Sequence, residues 1–190
     1  ENVPWIVFFA HRPMYSSNGD GDGHGSEIEF REAMEPLLFE YGVNLAIYGH
    51  DHHYERTYPV FQEEVYSNNS GNMSNPYYNP GATIHIVAGN SGREVYDGLV
   101  EPQPEWSAYR EVSYGYTKFD ATKTSINYKF IRNSDGSIGD EFWLFNTDSS
   151  NFTDDGENNR MNKSLSSLSF IQTIIIFVVS TTIIRKKDND

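Results

Sequence analysis

Between Trp5 and Tyr48 the chain spells strand, helix, strand, and few folds can accommodate that order. Trp5-Ile6-Val7-Phe8-Phe9-Ala10 is a continuous aromatic and β-branched run, the pattern of a strand buried on both faces of a parallel sheet. Ser26-Glu27-Ile28-Glu29 fits a capping box, so a helix is expected to begin there. Phe30, Ala33 or Met34, Leu37 and Tyr41 then recur at helical spacing, with Pro36 expected to kink the helix or open a second short one, and Gly42 to stop it. Val43-Asn44-Leu45-Ala46-Ile47-Tyr48 supplies the second strand. Right-handed crossovers make two such strands parallel and close, with their carboxyl ends on one edge of the sheet. His11 follows the first strand directly and His50 follows the second.

Beyond Pro59 the text turns to short strands. Residues 83–88 are the clearest, residues 125–131 alternate as a half-buried strand does, and Arg132-Asn133-Ser134-Asp135-Gly136 reads as a turn returning residues 141–145 as a hairpin partner. The chain has no cysteine, which removes disulfides, thiolate zinc sites and thiol nucleophiles. Its formal net charge of −13 argues against nucleic acid as a partner, because such binding rests on Lys and Arg neutralising phosphates.

Three of the six histidines fall in Gly49-His50-Asp51-His52-His53-Tyr54-Glu55-Arg56. In extended backbone, side chains two apart point the same way, so His50 and His52 can serve one cavity or two adjacent metal ions, with His11 arriving from the neighbouring strand end. Convergent imidazoles suit zinc, iron or manganese better than calcium or magnesium, which prefer oxygen. His85 lies within a strand and reads as a core residue, while His53 reads as a supporting or exposed one.

His11-Arg12-Pro13-Met14-Tyr15 and the Gly49 to Arg56 block resemble the last two metal-binding blocks of the purple acid phosphatases, within the calcineurin-like metallophosphoesterases. Ala88-Gly89-Asn90-Ser91-Gly92 and Gln103-Pro104-Glu105-Trp106-Ser107-Ala108-Tyr109-Arg110-Glu111 resemble that family's C-terminal region. The resemblance implies hydrolysis of phosphate monoesters at a binuclear centre of Fe(III) with Zn(II), Mn(II) or Fe(II). It implies His11 and His50 on the divalent ion and His52 on the ferric one. Two such ions neutralise the ester, lower the pKa of a bound water until it is the hydroxide nucleophile, and stabilise the leaving alkoxide. His24 is the candidate proton donor to the leaving group, with Asp20 and Asp22 beside it as possible assistants. Tyr54, Glu55 and Arg56 are expected to brace the histidine loop, and Arg12 to form a structural salt bridge. The family's remaining ligands are expected upstream of Glu1, which makes the chain a C-terminal fragment, inactive alone. Two rival readings are another metallophosphoesterase, such as a phosphodiesterase or nucleotidase, and a non-catalytic surface glycoprotein that kept the fold.

The expected fold class is therefore α/β, a metallophosphoesterase-type layered α/β sandwich over residues 1–146, with the family's C-terminal region from about residue 75 and short β-strands following. A polar linker is expected over 147–164. Residues 165–184 carry no charge, and at 1.5 Å per residue they match a bilayer core of about 30 Å, which predicts a transmembrane helix. Arg185-Lys186-Lys187 opens the cytoplasmic tail over 185–190, a lipid-exchanged tail being the competing form of anchor. Asn68, Asn72, Asn151 and Asn162 head N-glycosylation acceptor triplets, so the domain is expected in the secretory pathway or at the cell surface, facing the lumen or the outside.

Overall fold

In the computed structural model, residues 3–19 and 24–146 are described, together with the backbone of Thr173–Ile174. The apolar runs pair as their spacing predicts. Strand β1 (Val7–Ala10) lies parallel to β2 (Leu45–Tyr48), and β2 lies parallel to β6 (Thr83–Ala88). Strand β3 (Tyr54–Phe61) returns antiparallel along β6, and carries β4 (Glu64–Val65) and β7 (Ser107–Glu111) beside it. A second sheet is a meander of β8 (Gly115–Ala121), β9 (Ser125–Arg132) and β10 (Ile138–Phe145), with β5 (Tyr77–Tyr78) parallel to β10. The expected hairpin is present, Phe142 standing opposite Tyr128.

Three layers result. Helix α1 (Ile28–Glu40) covers one face of the first sheet through Leu38, Met34 and Phe30 against Phe8, Ala46 and Tyr48. The other face packs on the second sheet, where Leu45, Ile47, Ile84 and Ile86 meet Phe119, Ile126, Tyr128, Phe130, Phe142 and Leu144. The long aromatic side chains fill this gap by stacking, as Tyr54 does on Phe130 at 4.3 Å. Arg56 on β3 crosses it to Asp140 on β10, with Nε 2.6 Å from one carboxylate oxygen and Nη2 3.0 Å from the other. The Tyr54 hydroxyl donates to the same carboxylate at 2.9 Å.

Several expectations are corrected. Strand β1 is only half-buried, with Phe9 46% exposed, because β1 stands at the end of the described strand order and pairs on one side with β2. The capping box is not formed: Glu27 is the N-cap without a side-chain cap, since Ser26 Oγ is taken by the backbone of Ser16 in the loop after β1. The buried stripe of α1 runs through Phe30, Met34 and Leu38, whereas Leu37 and Tyr41 face outward, because i, i+4 spacing keeps a row over the sheet where Leu37 falls beside it. Pro36 is exposed inside a continuous helix and opens no second one. Gly42 does end the helix, at φ +62°, with the Val43 N–H returned to the Leu38 carbonyl at 2.8 Å.

No helix among the described residues is long and apolar enough to cross a membrane. Within the stretch 165–184, the described pair Thr173–Ile174 is extended and joins β8 antiparallel, opposite Asp120 and Phe119. A β-branched run favours extended backbone, and the expected transmembrane helix is not found there. The rest of that stretch, the linker, the basic tail, Asn151 and Asn162, and Asp20 and Asp22 lie outside the described residues.

Candidate metal centre

Because β1 and β2 are parallel and in register, Ala10 beside Tyr48, both strands end on one edge. The Gly49 N–H donates to the His11 carbonyl at 3.1 Å and ties the two exits together. His50 then takes φ +61°, a left-handed conformation that is uncommon for a side chain of its size and recurs at functional sites. It brings His50 Nδ1 to 3.1 Å from His11 Nε2. His24, on the far side of the Gly/Asp loop, stacks on His50 with ring centres 4.7 Å apart and lies 6.3 Å from the ring of His52. All four imidazoles singled out from the sequence thus converge.

Their supports were not legible in the sequence. Asp51, between His50 and His52, is fully buried. Its Oδ1 faces His24 Nδ1 at 2.9 Å, while Oδ2 accepts from the Ser16 hydroxyl and from the Gly25 N–H at 3.0 Å. His52 Nδ1 faces the Glu94 carbonyl at 2.8 Å, and the Tyr96 N–H donates back to the His52 carbonyl at 3.2 Å. Tyr96 also lays its ring on His52, with centres 4.4 Å apart. Gly89, at the end of β6, admits the Asp51 carbonyl so closely that an added Cβ would stand 2.2 Å from it. That contact is the one signal the sequence offered, a Gly at a strand end, without saying what approaches it.

The donor chemistry fits a transition metal. Each partner that holds Nδ1 of a histidine leaves Nε2 as the ligating atom, the arrangement usual around metal-bound imidazole. Burial pushes His11 and His52 below the ordinary imidazole range, aided at His11 by His50 and Arg12 and at His52 by His24 and Arg93. Neutral imidazoles are the ligating form. Donor atoms of His24, His50 and Asp51 also lie within 4.8 Å of one another. Both Asp51 oxygens already accept from protein donors, so the imidazoles are the better metal ligands and Asp51 their support.

Behind the cluster, burial would raise the Glu55 carboxyl, but hydrogen bonds with His53, the Ser17 N–H and the Ser107 hydroxyl hold it below the usual range. Glu55 therefore does brace the loops, and His53 is buried rather than exposed. Arg56 braces the two sheets instead of the histidine loop. Arg12 pairs with Glu27 as expected. His85 is buried in the core, 2.9 Å from the Tyr48 hydroxyl.

Two family models match this chain: calcineurin-like phosphoesterase over residues 1–54, and iron/zinc purple acid phosphatase-like protein C over residues 82–141. The chain belongs to the purple acid phosphatase-like metallophosphoesterases. Among curated purple acid phosphatase relatives, it is 39% identical over 137 residues to acid phosphatase type 7 of Danio rerio, covering 66% of this chain and 30% of that protein. It is 34% identical over 149 residues to probable inactive purple acid phosphatase 27 of Arabidopsis thaliana, covering 75% of this chain and 23% of the relative. The chain therefore spans about a third or less of these relatives' lengths. The structure of purple acid phosphatase PPD1 from yellow lupin seeds superposes with a TM-score of 0.69 at 32% identity, over 75% of this chain and 25% of that one.

Proposed function

We propose that this chain supplies the histidine side of a binuclear centre in an acid phosphatase that hydrolyses phosphate monoesters. The observation that carries the reading is the convergence of His11, His24, His50 and His52, each of His24 and His52 held by its Nδ1. His11 and His50 would hold a divalent zinc, manganese or iron, and His52 a ferric ion. When bound, the two ions supply charge neutralisation of the ester and an activated water. His24 would donate the proton that the leaving alkoxide needs, its ring held through Nδ1 by Asp51. The exposed acceptor residues Asn68 and Asn72 support passage through the secretory pathway.

The test is substitution of single ligands in the intact protein. His50→Ala and His52→Ala should each lower turnover by orders of magnitude and reduce bound metal, His52→Ala also bleaching any visible charge-transfer band. Wild-type turnover in both variants would sink the assignment. A relative described as probable inactive gives weight to a non-catalytic rival. That rival predicts no turnover and no stoichiometric metal in the unaltered protein.

A further inference from the structure

Residues 94–100, in the loop after β6, form a strap that is pinned at both ends. At one end the Glu94 carbonyl faces His52 Nδ1 at 2.8 Å and the Tyr96 N–H donates to the His52 carbonyl at 3.2 Å. At the other, the Gly19 N–H donates to the Gly98 carbonyl and the Val100 N–H to the Ser17 carbonyl, both at 2.8 Å, which ties the strap to the loop after β1. The Tyr96 ring leaves this tethered backbone to touch two imidazoles of different duty. It stacks on His52 with centres 4.4 Å apart at 23°, and it meets His24 at 64° with centres 4.7 Å apart. His24 is held by a hydrogen bond at one atom only, Nδ1 on Asp51, and such a bond leaves the ring free to pivot about it. Donor atoms of His24, His50 and Asp51 lie within 4.8 Å of one another, close enough for an ion on His50 to draw His24 in as a further ligand. An imidazole nitrogen that ligates a metal has no proton to give.

We propose that Tyr96 is a positioning residue that keeps His24 out of the metal's ligand set and so leaves it free to donate a proton. The proposal rests on the phosphatase reading above and names what separates its donor from its ligands. A tyrosine has two side-chain torsions, and on a backbone tied at both ends its ring is a firm stop. With one contact on the ligand His52 and the other on the donor His24, that ring sets the spacing of the two, 6.3 Å between ring centres. Asp51 supplies the pivot and Tyr96 limits the swing.

The experiment loads the intact protein with Co(II) and compares it with Tyr96→Ala and Tyr96→Phe. Proton NMR reads the contact-shifted imidazole N–H resonances of the cobalt ligands, and the His24 Nδ1 proton is sheltered for that reading by the buried Asp51 carboxylate. Tyr96→Ala should show one such resonance more than the parent, lost again when His24→Gln is added, whereas Tyr96→Phe keeps the ring and should match the parent. A parent spectrum in Tyr96→Ala would overturn the proposal, as would an added resonance in Tyr96→Phe. Should Tyr96→Ala not fold, Tyr96→Leu, which fills the volume without a flat ring, is read in its place. Turnover tests the reading beneath: Tyr96→Ala should lose on the order of 100-fold on alkyl phosphates and far less on activated aryl phosphates, as loss of a proton donor does. If the parent hydrolyses neither ester while Tyr96→Ala gains its resonance, the phosphatase reading fails and the Tyr96 assignment stands. A parent that binds no Co(II) overturns both.

Discussion

Asp51 lies between His50 and His52, yet its carboxylate serves a third histidine, His24, together with Ser16 and Gly25. Asp51→Asn keeps the volume and loses the charge that orients the imidazole. Turnover should fall on the order of 10- to 100-fold, more on alkyl phosphates than on activated aryl phosphates, with metal content retained. Equal loss on both leaving groups, read by steady-state kinetics, would remove the link to proton donation. At His85 the consequence is one of stability. Burial lowers its pKa from 6.5 to about 3. The unfolded chain therefore takes up a proton as pH falls through 6.5 while the folded one does not. Stability is full above 6.5 and should decline by about 1.4 kcal/mol per pH unit on acidification toward 3. Glu35, whose carboxyl burial pushes upward, works in the opposite sense. Urea titrations of His85→Gln beside the parent isolate the imidazole, and the variant should show the shallower decline.

At the scale of elements, the order strand, helix, strand and the placement of His11 and His50 at strand ends were readable, because periodicity and βαβ handedness leave little choice. The helix start was misread because Ser26 has a competing partner ten residues earlier, and such a tertiary contact leaves no mark in local sequence. The supports of the cluster were hidden for the same reason: Asp51 meets His24 across 27 residues, and His52 meets Glu94 across 42. Arg56 was legible as a bracing residue but not as a bridge between sheets, since its partner stands 84 residues away. That bridge is a buried pair, and leaving one charge of such a pair alone is costly. Asp140→Ala should destabilise the fold by about 3 to 5 kcal/mol, while Arg56→Met with Asp140→Leu should recover a large part of the loss, both read by denaturant midpoints.

Over the whole molecule the labour is divided. The helix and the first sheet present the histidines, and the second sheet contributes its inner face to a shared core. The Arg56 to Asp140 pair is the polar fastening between those halves, with Tyr54 and Tyr77 closing around it. In hydrogen–deuterium exchange this makes the two sheets a single cooperative unit. Amides of Ile126 and Tyr128 in the meander should open no more readily than those of Leu45 and Ile47 in the strand that leads to the histidine cluster, all at the free energy of global unfolding. With Asp140→Ala the meander amides should exchange first, by a separate subglobal opening, and the protein would show two protection classes where the parent shows one.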